Sequence, residues 1–483
     1  MTFNTDNATD ISIPLINPTY YIDVISPSNP NPLKDSGFAS DSNSYQIPDN
    51  LCADIPLIQN PDYLAKTALL STISDATSPP SADPNSPDSL APEASNSGAG
   101  TDQLGVPVPN NNTNSNPLSS SPPESVNDWF SSNLLDQQLI AKTRNLFADG
   151  NLSRNDVIAI FRDAEDGSVI DTNEYKDLQK IVSNYSYFNM DDYVHVLSSK
   201  VVFGTSANAS YQGKSLGNLY AGSSSSQMEN LIGKWFLGSD RPSTSYTYKP
   251  VEGSLFQNGV SYQDISQGNV GDCYFLAGLA EVAIHSPSTI ESMFIDNGDS
   301  TYTVRFYNRG VADYVTVDKY LPVDSDGDLV YANQAGAKLG KYYENNELWT
   351  ALAEKAYAQI NESGWIAQDN TNSYAGISAG WDMDAIRHIT GKNSGWSDKF
   401  DLNSLVSAYN AGTLMGISSK ADGVTDSRIV PNHVYVVVDY NSSTQQFTLF
   451  NPWGIDGAGN KPGTVQVSIN LLQTNFYIWS YTT

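Results

Sequence analysis

The chain has 483 residues, 39% of them hydrophobic, which is room for two or three domains with a core of their own. Its 25 Lys and Arg stand against 53 Asp and Glu, a formal charge of -28 that repels phosphate backbones and anionic lipid and argues against nucleic acid as a partner. Two cysteines allow one intramolecular disulfide at most, so the fold must stand on its core and not on staples.

The N-terminus, MTFNTDNATDISIPLINPTYY, lacks both a basic start and a continuous apolar segment, and no stretch approaches the roughly 18 apolar residues of a membrane span. Neither a Sec signal nor a transmembrane segment is therefore expected; the cytoplasm is favoured over non-classical export, and a monomer over an oligomer. From about residue 72 to 126 the chain is rich in Pro, Ser and Asn, with no Lys, Arg or aromatic residue. Such a segment cannot bury enough apolar surface to offset the entropy of ordering it. Residues 1–126 are expected to be a mostly disordered arm, and its 72–126 part a site of self-cleavage or removal.

Order is expected from VNDWFSSNLLDQQLIAKTRNLFADG, whose apolar residues recur at helical spacing up to Gly150. Ser153 reads as the N-cap of a second helix, Asp166-Gly167 as a turn, and a further helix starts near Asn173, giving a small helical domain over 127–235. Two stretches imitate calcium loops. DAEDGSVIDTNE, residues 163–174, begins and ends on an acid, but Gly167 comes one place early for an EF-hand. DSDGDLVYANQA, residues 324–335, ends on Ala335 where the closing carboxylate belongs, and reads as a hairpin turn.

From about residue 240, β-branched and aromatic residues alternate with polar ones in STYTVRFYN, ADYVTVDKYLPV, NHVYVVVDY and QQFTLFNPW, with helical segments at 273–285 and 345–361 between them. The class is α+β, ending in antiparallel sheet. Cys273 sits where the turn GNVGD gives way to the first of these helices. Unsatisfied backbone N–H groups at a helix start favour a thiolate, the form in which cysteine is a nucleophile; the alternative is a small buried apolar residue opening a core helix. His285 lies about three turns from the thiol on the same helix, and His195 and His388 read as packing or surface residues. His433 instead begins a strand. If that strand pairs as a hairpin with QFTLFNPWG, Asn451 returns close to His433, where its amide can fix the imidazole tautomer.

The local sequences resemble the calpain protease core: QGNVGDCYFLAGLA its cysteine box, NELWTALAEKAYAQIN the helix that follows, NHVYVVVDY the histidine strand and LFNPWG the asparagine box. All four occur in family order within residues 240–483, and the first half of the chain does not share the resemblance. It implies a papain-like core of two subdomains, 240–365 carrying the cysteine and 366–483 the histidine and asparagine. It further implies a calcium-dependent cysteine endopeptidase acting on proteins, with Cys273 as nucleophile, His433 as general base, Asn451 orienting His433 and Gln267 donating to the oxyanion. Trp453 matches a tryptophan that wedges the subdomains apart in the calcium-free state.

A calcium site in the first subdomain maps onto the Asp264 and Glu347 carboxylates and the backbone near Gln257 and Gly259. After NPWG the family continues with an acidic, tryptophan-rich stretch, whereas IDGAGNKPGTVQVSINLL holds Asp456 alone, so a second site is poorly supported. Tyr274 also replaces the family's usual tryptophan, and the arrangement resembles a compact, bacterial-style relative with its extra domains in front. A catalytically idle fold serving as a calcium-dependent protein-binding module is the main alternative, and acyl transfer to amines a third.

Overall fold

The structure, a computed structural model, describes residues 128–333 and 346–483; the arm expected over 1–126 lies outside the described residues. Five helices of the N-terminal part are α1 (Trp129–Asn133), α2 (Gln137–Leu146), α3 (Arg154–Asp163), α4 (Thr172–Ser183) and α5 (Asp192–Val202). The first expected helix is thus two. Leu134 is extended, Asp136 caps α2 by accepting from the Gln138 and Leu139 N–H groups, and the buried Asp177 carboxylate takes the N–H groups of Leu135 and Asp136. A side chain that offers the backbone better partners than a continued helix ends it there.

The 163–174 stretch also resolves into a cap. Asp171 accepts from the Asn173 and Glu174 N–H groups while Glu174 reaches back to the Asp171 N–H, a capping box that engages the last carboxylate of the calcium-like pattern. In the 324–335 stretch Asp324 accepts from the N–H groups of Asp326, Gly327 and Asp328, and Val323 bridges Leu329. That is a tight hairpin turn.

After a small ribbon of β1 (Ser210–Tyr211) and β2 (Lys214–Ser215), α6 (Ser225–Trp235) closes the helical part. Strand β3 (Thr247–Pro250) pairs later with β7 (Tyr320–Val323). Helix α7 (Cys273–His285) and the short α8 (Pro287–Glu291) precede an antiparallel sheet of β4 (Phe294–Asp296), β5 (Thr301–Asn308) and β6 (Val311–Asp318). Helix α9 (Trp349–Ile360) is buried at every residue, and α7 from Cys273 to Ala283; helices apolar on nearly all sides belong in a core. Helix α10 (Asp382–Thr390) crosses α7 at Gly278, where a Cβ would stand 3.0 Å from that of Ala385, so a side chain there would press α10 outward.

The second half is a six-stranded antiparallel sheet in the order β12-β11-β10-β9-β13-β8. Its strands are β8 (Ser394–Ser397), β9 (Met415–Ser419), β10 (Val434–Asn441), β11 (Gln446–Phe450), β12 (Thr464–Ser468) and β13 (Phe476–Thr482), with α11 (Leu402–Asn410) and α12 (Ile469–Asn475) as its helices. Apolar burial falls into two clusters. One runs from the helical part through α7, α9 and α10; the other fills the sheet half around Ile417, Tyr435 and Phe447. The α+β arrangement expected from the sequence is what the chain forms.

Candidate active site

Cys273 is the first residue of α7 and is buried. Ahead of it, the Gln267 N–H donates to Pro452 O at 2.8 Å and Ser266 Oγ to Trp453 O at 3.2 Å, so the loop leading to the thiol is bonded to the loop following Asn451. Gly454 lies so close that a Cβ there would meet Ser266 Oγ at 3.0 Å, and its φ of 106° is a conformation that favours glycine. The glycine of NPWG is thus explained by the meeting of the two loops.

His433 is 2% exposed and stands immediately before β10. Strand pairing aligns Val436 with Phe450, which brings the start of β10 to the end of β11. His433 Nε2 and Asn451 Oδ1 are 2.8 Å apart. Asn451 Oδ1 is an acceptor that also takes the Trp453 N–H at 3.1 Å, so the ring must donate from Nε2. The neutral imidazole then carries its lone pair on Nδ1, a buried atom with no hydrogen-bond partner among the described residues. The backbone holds the ring's position as well: the His433 N–H donates to Ser419 Oγ at 2.9 Å, and the Ser419 N–H donates to His433 O at 2.8 Å. Trp453 is buried against the ring, centroid to centroid 5.6 Å, and belongs to the core of the sheet half.

Gln267 is also buried; its Nε2 donates to Val270 O at 2.7 Å and lies 3.5 Å from Asp272 Oδ1. Asp272, one residue before the thiol, is wholly buried, as is Glu354 of α9, whose Oε2 accepts the Ala332 N–H at 3.0 Å. Burial pushes both carboxyls up, Glu354 further through the neighbouring Asp272. Sequence reasoning passed over this pair. The only available signal was an acid just ahead of one helical segment and another inside the next, a pattern that exposed residues would also give.

The acids read as calcium ligands lie together at the foot of α9. Glu347 Oε1 accepts the Gln257 N–H at 2.7 Å, and Asp264 Oδ2 accepts the Ser261 N–H at 2.7 Å and the Trp349 indole N–H at 3.2 Å. Burial, aided by Asp264, pushes Glu347 up to about 7, and burial raises Asp264 as well. Two adjacent carboxylates facing a loop of left-handed Asn258 and Gly259 form a donor set of hard oxygens, which fits a cation of the calcium class. Among the described residues no group of three or more His, Cys, Asp or Glu side chains gathers as a metal site, so backbone carbonyls would have to complete the shell.

Residues 219–459 match the family model for calpain family cysteine proteases. Over 244 residues the chain is 29% identical to the calpain-1 catalytic subunit of Rattus norvegicus, covering 44% of this chain and 32% of that protein. It is 31% identical over 248 residues to the Sus scrofa counterpart, at 44% and 32% coverage. With the calpain-type cysteine protease DEK1 of Zea mays it shares 27% over 256 residues, 48% of this chain and 11% of that protein. The chain thus spans about a third or less of the length of these relatives. The family match and these relatives make residues 219–459 a calpain-like cysteine protease domain.

Proposed function

We propose that the chain is a calcium-responsive cysteine endopeptidase that cleaves proteins through Cys273, His433 and Asn451. The observation that supports this best is the His433 tautomer: with Nε2–H held by Asn451, Nδ1 is left as a buried base. His433 Nδ1 takes the thiol proton, and the Cys273 sulfur, at a helix start that favours negative charge, attacks the peptide carbonyl carbon. A C–S bond forms and the carbonyl electron pair moves to oxygen, which Gln267 Nε2 and the Cys273 N–H receive. Each such donor is worth roughly 3 kcal/mol in the transition state. The imidazolium gives its proton to the leaving amine as the C–N bond breaks; water, deprotonated by His433, then releases the acid and restores the thiol.

Calcium responsiveness rests on Asp264 and Glu347, with carbonyls near Gln257 and Gly259. A bound divalent cation would neutralise these two carboxylates and tie the 254–264 loop to the start of α9. Self-cleavage within 72–126 belongs to the same reading and is tested by mass mapping: an unchanged N-terminus in fully active protein speaks against it.

Casein hydrolysis with and without calcium, beside Cys273→Ala, tests the main proposal. Turnover by the wild type, greater with calcium and absent in the variant, is expected. Equal turnover by the two forms would remove Cys273 from the mechanism, and casein bound but uncut by the wild type would favour a binding module.

A further inference from the structure

The stretch IDGAGNKPG, residues 455–463, follows the asparagine loop and holds one acid, Asp456, and one base, Lys461. It closes on itself: the Ala458 N–H donates to Lys461 O at 2.8 Å, and the Lys461 N–H donates to Ala458 O at 2.9 Å. Gly457 has a φ of 62°, and a Cβ there would stand 2.6 Å from Gly463 N, so the turn is too tight for a side chain at that point. The backbone thus fixes where the half-buried Lys461 side chain sets out.

The end of this turn is bonded to Asn451. The Asn451 N–H donates to Gly463 O at 2.8 Å and Asn451 Nδ2 to Pro462 O at 3.4 Å, which leaves Oδ1 as the end turned toward His433. Lys461 Nζ reaches the other way and donates to Ser427 O and Ile429 O, both at 2.8 Å. These carbonyls belong to the loop that runs into His433. Val430, next along it, gives its N–H to Tyr435 Oη at 2.8 Å, and its carbonyl accepts at 2.6 Å from Ser419 Oγ, the atom that also takes the His433 N–H. Asp426 of the same loop is paired with Arg428 at 2.6 Å, and its charge also faces the Lys461 ammonium. Carbonyl oxygens that converge on one point repel one another unless a cation stands between them, and an ammonium is a cation with three donors.

We propose that Lys461 is a positioning residue for His433: its ammonium clamps the loop ahead of His433 to the segment that holds Asn451, and so fixes the imidazole against the carboxamide. The clamp is a cation that belongs to the chain. The His433–Asn451 pair is therefore assembled with or without a divalent metal, and calcium acts on the cysteine half, at Asp264 and Glu347. This proposal rests on the cysteine endopeptidase reading.

The test compares wild type, Lys461→Met and Lys461→Arg in peptide hydrolysis with calcium, and by NMR of protein labelled with ¹⁵N at histidine, which reads the His433 Nε2–H directly. Lys461→Met keeps an apolar stem and loses the charge. Its kcat should fall about tenfold or more with KM little changed, as a slightly misplaced base dictates, and its ring N–H signal should shift and broaden as the bond to Asn451 loosens. Lys461→Arg, whose guanidinium still donates to two carbonyls, should keep the wild-type signal and stay within a few fold in kcat. The wild-type ring signal should be the same in calcium and in chelator.

Should Lys461→Met not fold, that last comparison decides, since it needs no variant. A wild-type ring signal that appears only with calcium would overturn the proposal. So would a Lys461→Met protein that melts earlier but keeps the wild-type kcat and ring signal, because Lys461 would then serve stability alone. Both results leave the endopeptidase reading in place. A wild type that hydrolyses no peptide removes that reading, while the ring signals still decide whether Lys461 holds His433 to Asn451.

Discussion

His433 owes its tautomer to one oxygen atom. Asn451 Oδ1 receives both the imidazole and the Trp453 N–H, so Asn451→Ala removes the orientation of the ring and unties the Trp453 backbone together. The expected result is a loss of at least about 10²-fold in kcat, within the range seen when a base is left in the wrong tautomer. Folded protein with unchanged kcat would show that the backbone bonds to Ser419 suffice. Cys273, His433 and Asn451 were all legible in the sequence because each stands at the end of an element, where turn residues mark its position. Asp272 and Glu354 were not, because the approach of an N-cap to the middle of another helix leaves no local pattern.

At the scale of elements, α7 carries a buried acid of its own, Glu281, whose two oxygens have no hydrogen-bond partner among the described residues. It faces Gly416 of β9 together with Asp382 of α10 and Ser480 of β13, the last two hydrogen-bonded to one another. A side chain at Gly416 would collide with all three. Burial first, then Asp382, pushes Glu281 up, and burial pushes Asp382 up to about 6. A carboxyl raised on folding stabilises fully below its unfolded value of about 4, and that stability is lost as pH rises through the folded value.

The pair should therefore make the protein less stable at pH 8 than its other groups alone would. In Glu281→Gln, whose amide can donate to Asp382, urea unfolding at the two pH values should show a smaller fall from acid to alkaline conditions. Parallel pH curves for variant and wild type would contradict this. The hydrophobic spacing of 273–285 foretold the helix but not its acid's surroundings, since the faces of α7, β9 and β13 meet only in the fold. The first helix was misread as one for a comparable reason: the partner that breaks it, Asp177, lies far along the chain.

Across the whole molecule, the helical part and the cysteine half share one apolar cluster. Ion pairs cross the same junction: Arg154 with Asp299 at 2.9 Å, Lys200 with Asp313 at 2.5 Å, and the wholly buried Lys234 with Asp240 and, at 2.6 Å, Glu362. Lys234→Met leaves two buried carboxylates without their cation, a change of the kind that costs about 3–5 kcal/mol. If the helical part and the cysteine half unfold together, calorimetry of this variant should show one transition shifted down. A cysteine half that melts at its wild-type temperature would mean that the helical part is a separate unit. The change of composition near residue 240 was legible, but the continuity of the core across it was not, because no short window records which helix covers which sheet.

The claim that bears the most weight is that peptide cleavage passes through a covalent bond to Cys273 made with the help of His433. A peptidyl chloromethyl ketone followed by peptide mapping tests it most directly. One equivalent on Cys273, retained in Cys52→Ser and lost in His433→Ala, is the predicted result; hydrolysis that persists after complete labelling, or equal labelling of Cys273 without His433, would contradict it.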